Sequence, residues 1–274
     1  GMAGNLADYT FLSTEGSVVA GRDVDYNGQP AGYAADPSET DTYVDAHDNE
    51  TLFDSQVYKL PTDTPMADRV RMNTVALSTV TLGQGIVFWH AGTDLMRSKS
   101  LDRNSYDSGD WFNRIDWTGT QSTFGSGLPP QTDNEAKWSF MRPLLADPSL
   151  RPGSDDLTAA EAGAEDLLRI RASSPLFRLG SAPAIQDKVS FLSADPGVVV
   201  MLIDDTQGAD ADPTRQAILV VVNASPQATT VAGVGDGWSL HPVQAAGRDD
   251  VVKTSSAAAG SATVPARTTA VFVR

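Results

Sequence analysis

The succession strand, helix, strand in the first part of the chain limits its fold more than any other feature. A strand is expected at residues 42–46, and a second at 86–89, a short apolar run between glycine and a polar loop. Between them Thr64 reads as a helix N-cap with Pro65 at the first helical position, opening a helix that runs to about Leu82 and stops at Gly83 and Gly85. Adjacent strands joined through a helix are parallel, because only a crossover returns the chain to the same end of the sheet. Two strands cannot close a barrel, so the sheet is either small and covered by other elements or a slice of a larger α/β structure.

Thr132 with Glu135, and Thr158 with Glu161, have capping-box spacing, and each precedes a helix-like stretch carrying Trp138, Met141 and Leu145, or Leu167, Leu168 and Ile170. After Pro175 no convincing helix is visible. Strands are expected at 189–192, 198–203, 217–222, 238–241 and 268–273, separated by polar segments such as 204–212, which suggests an antiparallel sandwich. The change near residue 180 marks a predicted domain boundary, with an α/β part over 1–180 and an all-β part over 181–274.

Charge and cysteine content narrow the function classes. A formal charge of −15 over 274 residues repels polyanions, so no nucleic-acid partner is expected, whereas neutral sugars meet no such barrier. The absence of cysteine rules out disulfides, thiolate metal sites and thiol nucleophiles. Apolar runs such as 218–222 are far shorter than the roughly 20 residues of a membrane span, and no basic segment followed by an apolar stretch marks a signal peptide within these residues.

Two polar constellations could carry chemistry. The first is Val44-Asp45-Ala46-His47-Asp48-Asn49-Glu50, directly after a predicted strand, where α/β folds place their ligands; an Asp- and Asn-rich turn accounts for the same residues without a ligand. The second runs from Arg97 to Trp117 and mixes Tyr106, Trp111 and Trp117 with Arg97, Arg103, Arg114 and several Asp and Asn residues. Flat aromatic faces stack on sugar rings and the polar groups match hydroxyls, but a surface loop packed by its own aromatics has the same composition. A calcium loop beginning at Asp102 fails at Tyr106 and at Asp107, where glycine is required. The three histidines, His47, His90 and His241, lack metal-helix spacing; His90 reads as a core histidine within a strand and His241 as a surface residue.

These two features, in this order and with a helix between them, resemble the pullulanases and limit dextrinases of the α-amylase clan. The resemblance extends to Gly1–Tyr9, to Leu168-Arg169-Ile170-Arg171 and to the closing stretch from Val264 to Val273, so it covers nearly the whole chain. It implies the C-terminal slice of a (β/α)8 barrel, containing its last strands and helices, followed by an antiparallel β-sandwich domain. It also implies hydrolysis of α-1,6-glucosidic linkages in pullulan, amylopectin or limit dextrins, with α-glucan as partner. His47-Asp48-Asn49 resembles the signature that ends the family's seventh barrel strand. By that resemblance Asp48 is the transition-state-stabilising carboxylate and His47 bonds the sugar at the cleaved linkage. Substrate contacts are expected from Asn49, Arg97, Asn104, Tyr106, Asp107 and Trp111. No metal ligand and no cofactor are expected, with a structural calcium left open.

A retaining glycosidase needs a nucleophile and an acid/base about 5 to 5.5 Å apart. In the family these lie on the fourth and fifth strands, and no position here matches them; Asp45, Glu50 and Asp54 receive no catalytic role. The isolated chain is therefore expected to be inactive, awaiting the N-terminal part of the barrel or associating with itself to cover exposed edges. The alternative is a truncated, non-catalytic α-glucan-binding or structural protein. An extracellular or cell-surface location is expected for the full enzyme.

Overall fold

The computed structural model describes residues 1–274 and mixes helices with several antiparallel sheets. The chain opens with four short strands, β1 (Thr10–Leu12), β2 (Val18–Ala20), β3 (Asp25–Tyr26) and β4 (Gln29–Pro30). There follow β5 (Asp41–Thr42), α1 (Leu52–Lys59), α2 (Met66–Thr81) and β6 (Ile86–Val87). Next come α3 (Asp110–Asn113), α4 (Gln131–Asn134), α5 (Trp138–Ala146), α6 (Ser154–Ala172) and α7 (Ala182–Lys188). The rest is β7 (Val189–Leu192), β8 (Val198–Asp204), β9 (Ala217–Asn223), β10 (Thr229–Ala232), β11 (Ser239–Leu240), α8 (Pro242–Ala246), β12 (Ser256–Ala258), β13 (Ser261–Val264) and β14 (Thr268–Val273). No helix is long and apolar enough to cross a membrane.

Two compact units result, one made of residues 1–42, 75–88 and 165–274, the other of 43–74 and 89–164. In the first, β5 and β6 pair in parallel, Asp41 opposite Ile86 and Thr42 opposite Val87, as the strand, helix, strand order requires. Both strands are shorter than expected. Beyond Thr42 the pairing extends only through the Phe88 N–H bond to the Thr42 carbonyl, so His90 lies in a loop and not in a strand.

The same unit holds a five-stranded antiparallel sheet, ordered β11-β14-β9-β8-β7, and a three-stranded one, β10-β13-β12. Their inward side chains share one core, with Leu219, Val221, Ala270 and Phe272 from the larger sheet and Val231, Ala262 and Val264 from the smaller. All seven residues of β9 are buried, which explains why the run from Ala217 to Val222 is continuously apolar and does not alternate. Contrary to the expectation of no helix after Pro175, α7 and α8 form. Ser181 Oγ accepts the Ala184 N–H at the start of α7. His241 caps α8, which shortens the strand expected at 238–241 to Ser239–Leu240 and buries the histidine that the sequence placed at the surface.

In the second unit Phe53, Val57, Val70, Met96, Leu101, Phe124, Met141, Leu144, Leu150 and Leu157 form the core, with the rings of Phe53 and Phe124 edge to face at 5.7 Å. Neither predicted capping box exists. Around Thr132, α4 lasts one turn, because the Asn134 amide bonds the Pro130 carbonyl and the Asp102 carboxylate and a new helix begins at Trp138. Thr158 sits inside α6, which starts earlier: the Gly153 carbonyl accepts the Leu157 N–H, and Asp155 and Asp156 occupy the first turn, where the helix dipole favours acids.

Candidate functional site

The side chains singled out by the sequence lie in the second unit. The turn carrying them is built by Asp45, whose carboxylate accepts the Leu52 N–H at 2.9 Å, near the start of α1, and the Thr93 hydroxyl at 2.9 and 3.0 Å. Thr51 caps α1 by accepting the Asp54 N–H at 3.2 Å. With Asp45 and Thr51 turned inward, His47 and Asp48 project into solvent, their side chains 85% and 75% exposed and Nε2 of His47 3.7 Å from Oδ1 of Asp48. Asn49 follows at φ 60°, in the left-handed region, which an Asn tolerates better than most residues.

The backbone of this turn is held by a buried cation. Lys99 is 1% exposed, and its Nζ donates to the His47 carbonyl at 2.9 Å. Burial lowers its pKa, assisted by Arg97 and opposed by Asp54, Asp102 and Asp45. Asp54, fully buried, accepts the Lys99 N–H at 2.7 Å and the Ser98 hydroxyl at 2.5 Å. Burial nevertheless raises its pKa to about 6. The segment between takes positive φ at Met96, Ser100 and Leu101, 49°, 53° and 68°. Such conformations persist only where the surroundings fix them. Here Met96 and Leu101 are packed in the core, and the Ser98 backbone is clamped from both sides by the Thr123 hydroxyl at 2.9 and 2.7 Å.

The following loop closes on its own side chains. Asp102, fully buried, accepts the Asn104 N–H and the Asn134 amide at 3.0 Å each and the Ser108 hydroxyl at 2.6 Å. Asn113 accepts the Ser105 hydroxyl at 2.8 Å and donates to the Ser105 and Gly109 carbonyls. The loop thereby presents Tyr106, 84% exposed, the exposed Asp107, and Trp111, 57% exposed. Trp111 is anchored by its indole N–H on the Ser126 carbonyl at 2.7 Å and by the Arg114 guanidinium 4.4 Å from its ring centre.

Like Trp111, two more of the expected contact residues are engaged within the protein. Arg97 directs Nη1 to His90 Nε2 at 3.1 Å and to the Ala91 carbonyl at 3.2 Å, and Nη2 to the Asn113 carbonyl. The Asn104 amide donates to Asp133 at 2.9 Å. Sequence reasoning missed Lys99, Asp102 and His90 as organisers of the site. The clue for Lys99 and Asp102 was available, since both lie inside the polar segment that carries the resemblance. No group of three or more His, Asp or Glu side chains is placed to hold a metal ion.

Residues 119–274 match the family model described as alpha-1,6-glucosidases, pullulanase-type, C-terminal. The chain belongs to the pullulanase-type α-1,6-glucosidase family. Among its pullulanase relatives, the chloroplastic pullulanase 1 of Arabidopsis thaliana is 45% identical over 100% of this chain, and the pullulanase of Klebsiella pneumoniae is 39% identical over 99%. The chain spans only 30% and 26% of those two proteins. The crystal structure of the maltotriose complex of PulA from Klebsiella pneumoniae superposes with a TM-score of 0.95 at 39% identity, over 100% of this chain and 30% of that one. A mutant pullulanase of Paenibacillus barengoltzii complexed with maltotetraose, 23% identical, shares the fold at a TM-score of 0.66 over 100% of this chain and 33% of its own.

Proposed function

We propose that this chain forms part of a debranching hydrolase that cleaves α-1,6-glucosidic linkages of pullulan, amylopectin or limit dextrins by a retaining mechanism. In this reading residues 1–180 are the last strands and helices of a (β/α)8 barrel, with β5 and β6 as neighbouring barrel strands, and residues 181–274 are the β-sandwich domain. Asp48 stabilises the positive charge that develops on the sugar in the transition state, and His47 hydrogen-bonds the same ring. Asn49, Tyr106, Asp107 and Trp111 offer hydroxyl-matching and stacking groups, and Arg97 and Asn104 support the loop that presents them.

The observation that carries the reading is the pairing of His47 and Asp48. Their side chains are free of the fold and open to a ligand, while the backbone beneath them is fixed by Lys99 and Asp45. That a pullulanase relative superposing on the chain was crystallised with maltotriose supports an α-glucan as ligand.

A carboxylate that only stabilises charge cannot replace the nucleophile and the acid/base. Those roles fall to groups that the resemblance does not place among these residues. The test is release of reducing sugar from pullulan by an enzyme that includes this stretch, compared with linear amylose. Release from pullulan but not from amylose is expected, and the reverse preference would remove the α-1,6 assignment.

A further inference from the structure

We propose that His90 is a positioning residue of the candidate site, an imidazole protonated on Nδ1 that couples the Asp45 carboxylate to the Arg97 guanidinium. It thereby ties the turn bearing His47 and Asp48 to the loop bearing Tyr106 and Trp111. The consequence for turnover rests on the function proposed above; the proton placement rests on geometry alone.

Nε2 of His90 lies 3.1 Å from Nη1 of Arg97. A guanidinium only donates, so Nε2 must accept and the ring proton sits on Nδ1. Nδ1 is buried without a hydrogen-bond partner and stands 3.7 Å from Oδ2 of Asp45, the two side chains being 12% and 2% exposed. That distance is too long for a hydrogen bond, but in so buried a place an N–H directed at a carboxylate is attracted to it. The charged groups around the ring are Asp45 and Arg97, with Asp54 acting on Arg97 as well.

Each partner of His90 governs one part of the site. Asp45 holds the start of α1 through the Leu52 N–H. Arg97 holds the Asn113 carbonyl, and Asn113 closes the loop on Ser105 and Gly109. The histidine backbone is fixed in turn, its carbonyl accepting the Thr93 N–H at 3.1 Å.

Long-range proton–nitrogen spectra of the 15N-labelled 274-residue chain decide the proton placement, with His90→Gln assigning the signals. His90 is expected as the Nδ1–H tautomer and His241 as the opposite one, because His241 Nδ1 accepts the Val243 N–H at 3.2 Å. An Nε2–H tautomer at His90 would overturn the proposal. In the debranching enzyme that carries this stretch, His90→Leu should lower kcat/KM on pullulan on the order of 10-fold or more through misplacement of the loop. His90→Gln, which keeps an acceptor for Arg97, should restore most of it. Wild-type kinetics in a folded His90→Leu enzyme would refute the positioning role. If the unaltered enzyme leaves pullulan intact, the functional reading fails while the tautomer still decides the coupling.

Discussion

At the scale of single residues, two buried titratable groups make stability answer to pH in opposite directions. Burial, with Arg215 adding to it, lowers the pKa of His241 from 6.5 to about 4. The unfolded chain therefore binds a proton that the folded one refuses, and stability is lost as the pH falls from about 6.5 through 4. Asp54 is the opposite case, raised from 3.8 to about 6 by burial. Its neutral form belongs to the folded state, so the stability it contributes is lost as the pH rises from 3.8 through about 6. Melting temperatures measured across this range should lose their acid-side decline in His241→Asn, and Asp54→Asn should instead remove the decline toward neutral pH. Unchanged slopes in both variants would contradict the assignment. His47 and Asp48 were legible because they stand in an uninterrupted local motif. Lys99 was not, because its role depends on reaching a carbonyl 52 positions away. His241 was misjudged because a histidine before proline looks like a turn residue, and nothing local reveals that Ser173 approaches its Nε2 at 3.0 Å.

At the scale of elements, the C-terminal end of α2 is closed from outside the helix. Arg171, near the end of α6, donates to the carbonyls of Thr81, Gly83 and Gly85 at 2.8, 2.6 and 3.0 Å. These groups lie at or just past the last turn of α2, where carbonyls lack helical partners. Replacing Arg171 by Met should cost about 3 kcal/mol of unfolding free energy, since the charge-assisted bonds go and the carbonyls stay; urea unfolding measures it, and a loss below about 0.5 kcal/mol would show that water replaces the guanidinium fully. The α2 helix was readable from Thr64, Pro65 and the glycines that follow it. The helix α1 was not anticipated, although it buries Leu52, Phe53, Gln56 and Val57, because eight residues flanked by polar segments give too short a period to stand out. The capping-box pattern misled twice for a related reason: the spacing marks a helix start only where the backbone is free to begin one, and Asn134 and Gly153 had already fixed the boundaries elsewhere.

At the scale of the whole molecule, the parallel pair β5 and β6 and the shared core of the two antiparallel sheets agree with the order of elements read from the sequence. The short strands β1 to β4 and the sheet of β10, β13 and β12 were not anticipated; runs of two to four residues carry almost no periodic signal. Family membership follows from residues 119–274, and the chain matches relatives more than three times its length. On the proposed reading the pure 274-residue chain should release no reducing sugar from pullulan, because charge stabilisation alone cannot replace a nucleophile and an acid. Release above a mock preparation would mean that these residues hold a complete carboxylate pair. The proposed role of Asp48, stabilising the transition state of debranching, is measured by kcat on pullulan for an enzyme containing this stretch with Asp48→Asn, alongside its melting temperature. A fall of about 10³-fold or more with melting unchanged is expected, as the carboxylate is exposed; turnover within about 10-fold of the unaltered enzyme would rule the role out.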